Sequence, residues 1–306
     1  MDQKKQTTIA IIMFLSVLLG NSVIFSIVPY VTKPLEAGGL GYHAFQVLLV
    51  YSAIATACML PWAIKQGRAG LATNRWKHYS LRAALEYGAY SLTLISLGYL
   101  GSDFTLPMHT ALNFITPLLA TVVTILVLKE KSHAHTWIAL AVGFIGVLVI
   151  TRPSMSSSPG VFYVLGAALG FSFCGVVIKL LCSTESPMKI AFYLLAMTTI
   201  ASLPMGIYHW KPLSTEAWLW IAVIGVLSYA VQVLIGKAIS KVPYMVIIPL
   251  NFVQLVFSTI LGYLVYAQLI DAYTLLGALV ILGGTIYNTY RTRVHAEREA
   301  ITASAM

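Results

Sequence analysis

The sequence predicts an all-α integral membrane protein whose ten transmembrane helices form two inverted five-helix repeats. Three observations carry this. Of 306 residues, 58% are apolar and 9% are charged, and a soluble fold of that length cannot hide so much apolar surface beneath a polar shell. The apolar residues fall into ten runs, each long enough to cross about 30 Å of hydrocarbon. Part of the first half also matches part of the second in register. This composition excludes soluble enzymes, disordered chains, coiled coils and collagens. Disulfide scaffolds are excluded too, because Cys58, Cys174 and Cys182 all lie inside apolar runs.

The expected spans are residues 8–31, 41–63, 79–100, 106–128, 135–151, 160–182, 188–208, 216–239, 244–267 and 272–290. They are continuously apolar, unlike the alternating strands of a membrane barrel. Their connections are short, the longest being 64–78, so a single membrane domain is expected. Lys4 and Lys5 precede the first run, but no small-residue cleavage site ends it, and it reads as a retained helix. Pro29, Pro117, Pro204 and Pro249 fall in spans 1, 4, 7 and 9. Each is either a packing kink or a break that lines a cavity. Trp62, Trp76, Trp137, Trp210, Trp218 and Trp220 lie near span ends, where an aromatic belt forms. Gly143, Gly146, Gly277, Gly283 and Gly284 in spans 5 and 10 permit close helix contact, which marks these spans for support or homodimerisation.

Lysine and arginine number 19 against 10 acidic residues, a net charge of +9. With the N-terminus inside, the inner segments hold Lys4, Lys5, Lys65, Arg68, Arg75, Lys77, Lys129, Lys131, Lys241, Arg291, Arg293 and Arg298. The outer loops hold Lys33, Arg152 and Lys211. That bias predicts both termini in the cytoplasm of a multi-pass protein, with a bacterial inner (plasma) membrane as the expected location. The lipid bilayer, with its anionic headgroups, suffices as partner for the charge, and no nucleic acid is implied.

A shift of 138 residues lays spans 3–5 on spans 8–10 without a gap. Leu112-Asn113-Phe114 meets Leu250-Asn251-Phe252, Thr121 meets Thr259, Gly146 meets Gly284, and Gly98 meets Gly236. Five helices per half is odd, so the second half enters from the opposite side. The expected organisation is a first repeat at 1–151, a polar linker at 152–160, a second repeat at 161–290 and a cytoplasmic tail at 291–306. The halves carry Asn113-Phe114-Ile115-Thr116-Pro117, Leu128-Lys129-Glu130 and Gly143-Phe144-Ile145-Gly146, then Pro249-Leu250-Asn251, Gln268 and Gly283-Gly284. In these residues, and over nearly its whole length, the chain resembles the EamA-type transporters of the drug/metabolite transporter (DMT) superfamily. Members of that family often carry Gly-Glu after helices 4 and 9. Here Lys129-Glu130 and Ala267-Gln268 stand there, so an amide replaces the second carboxylate.

Ionisable groups within a span are costly and point to function. Glu86 lies about 12 Å from the inner edge of span 3, with Arg82 one turn earlier and Tyr90 and Thr93 continuing the same face. Their repeat mates are Trp220 for Arg82 and Ile224 for Glu86, so the scaffold does not require the pair. Two readings stand. Either Arg82 and Glu86 merely neutralise each other, or Glu86 faces a cavity and binds a substrate cation or a proton. Asn113 and Asn251 are repeat mates near the midplane, joined by His109 in span 4 and Gln254 in span 9; Asn21, Tyr229 and Gln232 complete the candidate binding set. Interhelical hydrogen bonding is the alternative for each. Glu130 is expected to cap or pair locally at an interface.

The motifs H-E-x-x-H and G-x-x-x-x-G-K-[ST] are missing, and no Cys/His ligand set is clustered. No metal, cofactor or ATP site is therefore expected. By resemblance, the chain is a secondary carrier of a small organic metabolite, foremost an amino acid or derivative, exported by alternating access. A carrier or exchanger of a nucleotide-like or S-adenosyl metabolite is the alternative within transport. A membrane scaffold or sensor is the alternative outside it, and no catalytic set supports an enzyme.

Overall fold

A computed structural model of the chain describes residues 3–35, 38–100, 104–128, 134–151, 158–182, 184–239 and 251–304. The helices are α1 (Gln3–Thr32), α2 (Ala44–Leu71), α3 (Trp76–Gly98), α4 (Leu106–Asn113), α5 (Thr116–Leu128), α6 (Ala134–Thr151), α7 (Pro159–Cys182), α8 (Pro187–Tyr208), α9 (Thr215–Ile239), α10 (Asn251–Tyr266) and α11 (Ala272–Ser304). No strand occurs among the described residues. The helices α4 and α5 form one broken span, so the eleven make ten crossings. Large apolar side chains such as Phe144, Phe162, Ile200 and Leu264 face outward, more than half exposed. That is the expected outer surface of a protein whose solvent there is lipid.

The break in the fourth span comes from proline chemistry. Pro117 has no N–H to offer the carbonyl of Asn113. Accordingly α4 ends at Asn113, and the Phe114 and Ile115 amides tighten onto the Ala111 and Leu112 carbonyls. Pro29 and Pro204, by contrast, sit inside unbroken helices. Pro249 lies outside the described residues. In α2 the departure is glycine-borne: Gly67 has φ 64°, a left-handed conformation that glycine takes at little cost.

Packing follows the exchange of halves. The α3–α7 contact is matched by α9–α1, α2–α9 by α8–α3, and α5–α7 by α10–α1. The pairs α2–α8 and α6–α11 map onto themselves. This is the pattern that a two-fold axis relating inverted repeats requires. Gly146, Gly277 and Gly284 of spans 5 and 10 serve that last pair within one chain. A Cβ on Gly146 would fall 2.8 Å from Gly277 O, and one on Gly277 would fall 2.5 Å from Gly146 O.

Several boundaries differ from expectation: α1 begins at Gln3 rather than 8, and α2 runs on past 63 to Leu71. Helix α7 begins at Pro159, inside the expected linker, because proline is preorganised for a first helical turn. Residues 152–157 of that linker lie outside the described residues. Helix α11 runs on to Ser304 where a tail was expected, since Arg, Glu and Ala between 291 and 300 are good helix formers.

Candidate functional site

A cavity of 410 Å³ lies between the halves. From the first half, α1 contributes Asn21, Ile24, Phe25 and Val28, α2 Tyr51 and Ser52, α3 Arg82, Glu86, Tyr90, Thr93 and Leu94, and α4 Asn113. From the second, α7 contributes Phe171 and Ile178, α9 Ser228, Gln232, Ile235 and Gly236, and α10 Gln254. The α8 wall runs from Pro187 to Thr198. Toward the side of the membrane where the chain begins, the lining reaches the first residue of α8 and the last turn of α9. Toward the opposite side it reaches Val28 and Leu94, about 6 Å from the far ends of α1 and α3, while on α7, α8 and α9 it stops at Phe171, Thr198 and Ser228, about 15–20 Å short of their far ends.

The stripe expected on span 3 is present. Spacing of three and four residues brings Arg82, Glu86, Tyr90 and Thr93 onto one face, and all four line the cavity. Arg82 Nε stands 3.4 Å from Glu86 Oε2, with both side chains nearly buried. The contact is ionic without being a hydrogen bond, and neither atom has a hydrogen-bond partner. Arg82 Nη1 donates to Ile190 O at 3.2 Å, tying α3 to α8. The Tyr90 hydroxyl accepts from Gln232 Nε2 at 3.4 Å. Asn113 reaches the cavity because the span breaks behind it, and its amide donates to His109 O at 3.0 Å. The mates Trp220 and Ile224 pack in the apolar core, Trp220 edge-on against Tyr30.

Asn21, Gln232 and Gln254 also line the cavity. Two expected residues do not. His109 is fully buried between the Phe25 and Phe104 rings, behind the lining, and neither ring nitrogen has a hydrogen-bond partner. Tyr229 packs on the Ala55, Met59 and Ala191 cluster between α2 and α8. Glu130 and the side chain of Asn251 lie outside the described residues. Sequence reasoning missed spans 2 and 7 as walls, and with them Tyr51, Ser52 and Thr198. Their only signal was a polar atom in an apolar run, too common to single out.

Gln268, the amide that replaces the carboxylate after span 9, accepts from the Leu106 amide at 3.0 Å. It thereby caps the first turn of α4 together with Thr105, whose hydroxyl accepts from Met108 N.

Two polar seals close opposite ends of the α2–α8 pair. On the side where the chain begins, Lys189 on the first turn of α8 contacts Glu185 at 2.8 Å and donates to Ala72 O. The Thr73 hydroxyl donates to Glu185 at 2.6 Å, and Tyr193 donates to Leu71 O at 2.7 Å. At the other end, Gln46 on the first turn of α2 donates to Lys211 O at 2.6 Å and accepts from Lys211 N at 3.2 Å. Tyr42 donates to Pro212 O at 3.3 Å and accepts from Ser214 N at 2.8 Å. Exchange of the halves puts Glu185 and Lys189 where Tyr42 and Gln46 stand, so one device appears twice, once ionic and once as neutral hydrogen bonds. Burial pushes the Glu185 carboxyl up, but hydrogen bonds from Lys189 and Thr73 and the charges of Lys189 and Arg75 outweigh it and hold it below the ordinary range. Beside the neutral seal, His43 stacks on His209 at 3.6 Å, and burial together with that neighbour lowers the His43 pKa.

Inverted helical repeats around a cavity within the membrane are an arrangement that transporters use. The model of the EamA-like transporter family matches residues 11–152 and again 158–290. The chain belongs to that family; it is a multi-pass membrane transporter of small molecules and not an enzyme. It is 26% identical over 253 residues to an S-adenosylmethionine uptake transporter of Rickettsia prowazekii, covering 82% of this chain and 85% of the relative. It is 28% identical over 262 residues to a riboflavin transporter of Vibrio cholerae (85% and 87% of the two chains). It is 26% identical over 245 residues to the pseudopaline exporter CntI of Pseudomonas aeruginosa (78% and 84%). A solved crystal structure shares the fold with a TM-score of 0.59 at 14% identity, over 95% of this chain and 97% of its own.

Proposed function

We propose that the chain carries an amino-acid-derived metabolite by alternating access, with S-adenosylmethionine as the first compound to test. The observation that carries this reading is the cavity itself: a mostly apolar pocket with a few convergent polar groups, set between exchangeable halves and flanked by one seal at each end. Its 410 Å³ falls in the range of sites that bury drug-sized ligands, which favours a derivative of nucleoside size over a simple amino acid. Relatives named for S-adenosylmethionine uptake support the same choice. In the proposed cycle the seals break in turn, exposing the cavity first to one side and then to the other. Glu86 binds the substrate's cationic group or a coupling proton, while Asn21, Asn113, Gln232 and Gln254 orient it through hydrogen bonds. The loop charges support cytoplasmic termini in a bacterial inner membrane.

The test is counterflow into proteoliposomes loaded with S-adenosylmethionine, with loading reversed to separate export from uptake. Saturable accumulation of labelled compound is expected. Absence of flux for it, for riboflavin and for a panel of amino acids would sink the carrier reading in favour of a scaffold.

A further inference from the structure

The ion pair in the cavity wall is poorly built for a structural role. Taking two charges out of water is offset only by good geometry and by further hydrogen bonds that satisfy both groups. Arg82 and Glu86 are 5% and 6% exposed, yet their facing atoms are 3.4 Å apart and make no hydrogen bond. Arg82 Nη1 donates to Ile190 O, while Nε, which faces Glu86, has no hydrogen-bond partner. The second half holds Trp220 and Ile224 at the matching positions, so the scaffold folds without such a pair. Both groups border the cavity on one face of α3, one turn apart. Aromatic rings lie beside them: Tyr90 one turn further on, Phe171 edge-on to Tyr90 at 5.3 Å, and Tyr51 from α2.

We propose that Arg82 and Glu86 form a zwitterion clamp, the guanidinium taking a carboxylate and the carboxylate an ammonium of the same ligand. A planar group attached to that ligand packs against the cavity faces of Tyr51, Tyr90 and Phe171. The substrate class is then an α-amino acid bearing an aromatic or heterocyclic group, with Arg82 as the residue that selects the zwitterion over the plain amine. The two charged groups of an α-amino acid share one carbon, which suits receptor charges held side by side. In the empty carrier the jaws neutralise each other, so neither charge is stranded in the membrane. The clamp rests on the central cavity being the substrate site.

The test titrates the full-length protein in nanodiscs with tryptophan, tryptamine and 3-indolepropionate, and with S-adenosylmethionine against 5′-methylthioadenosine. Each zwitterion should bind about tenfold or more tighter than its analogue lacking either charge, as expected for loss of one buried charge-assisted hydrogen bond. Arg82→Gln should erase the preference for tryptophan over tryptamine, and Glu86→Gln the preference over 3-indolepropionate. The double variant Arg82→Gln/Glu86→Gln leaves no unpaired charge, so it keeps the protein folded and should erase both. Equal binding of tryptophan and tryptamine to the unaltered protein, or a preference retained in the folded double variant, would overturn the clamp. Transport of riboflavin without binding of any zwitterion overturns the clamp and leaves the carrier standing. Failure of every compound to bind or move overturns both.

Discussion

If the two seals alternate, weakening one should expose the cavity on its own side and no other. The sharper perturbation is Lys189→Met. It removes the charged partner of Glu185 and the donor to Ala72 O, and it keeps the chain length that packs along α8. Charge-assisted hydrogen bonds contribute about 1.5–3 kcal/mol each. Both side chains retain about a tenth of their exposure, so water can re-solvate Glu185 and the lower end applies. A loss of about 2 kcal/mol shifts the closed–open balance about 30-fold. Thr198 reports it, since it lines the cavity halfway along α8. The assay replaces Cys58, Cys174 and Cys182, introduces Thr198→Cys, and measures labelling by a membrane-impermeant maleimide from each face of oriented vesicles. Lys189→Met should raise labelling from the N-terminal face by about that factor and lower it from the other. Gln46→Leu removes two neutral hydrogen bonds, about 1–2 kcal/mol, and should do the reverse by about five- to thirtyfold. A Lys189→Met rate within twofold of the parent on the N-terminal face, or a rise on the opposite face, would refute the reasoning.

Three further outcomes follow from the same contacts. A carboxyl held below its ordinary value stabilises the closed seal fully above that value and loses the effect as pH falls through the lowered one. Because maleimide reacts with the thiolate, the readout is labelling from the N-terminal face relative to Glu185→Gln at the same pH; this ratio should be flat at neutral pH and rise below 4.5. Gly277→Ala drives a methyl onto the Gly146 carbonyl; such overpacking costs about 1–3 kcal/mol and should lower the melting temperature by about 2–10 °C. Gly283→Ala, with no neighbour within 4 Å, is the control that should leave it unchanged. Gln268→Leu leaves the Leu106 amide without its acceptor, a cost of about 1 kcal/mol, whereas Gln268→Glu keeps an acceptor and adds charge at a helix N-terminus where it is favoured. Thermal stability should rank Glu at or above Gln, and both above Leu.

The scaffold was legible because lipid imposes it residue by residue. A span must be continuously apolar, and α3 to α9 keep close to the expected runs, while α2 continues past 63 to Leu71. Arg82 and Glu86 were legible for the complementary reason, since a charge in such a run is too costly to be incidental. Asn113 was legible as a polar residue, but its presentation was not. Pro117 foretold a disturbance, yet only packing decides that span 4 breaks while Pro29 and Pro204 are absorbed. His109 and Tyr229 were misassigned to the cavity for a related reason. A helix repeats every 3.6 residues, so a stripe narrows the facing direction to an arc, and neighbours settle the rest. The seals were not legible at all. They join loops distant in sequence, and Lys189, Glu185, Tyr42 and Gln46 look individually like ordinary residues at span ends.

Symmetry explains why the departures from it matter most. Were the halves identical in sequence, the conformation open to one side and that open to the other would be mirror occupants of one energy level. A carrier so built would favour neither face when empty. Two differences break that degeneracy here. The cavity holds its ionic pair on α3 alone, with Trp220 and Ile224 at the corresponding places on α9, so a ligand meets the charges from the first half and chiefly amides, hydroxyls and apolar walls from the second. The seals differ as well, ionic at Glu185–Lys189 and neutral at Tyr42–Gln46. Added salt weakens the first and leaves the second nearly unchanged, whereas acid reaches both, since it also charges the His43 imidazole stacked on His209 beside the second. Salt therefore acts on one face of a nearly symmetric machine. The resting orientation of the empty carrier becomes a property of four side chains at the ends of α2 and α8, and the cavity itself need not change for it to reverse.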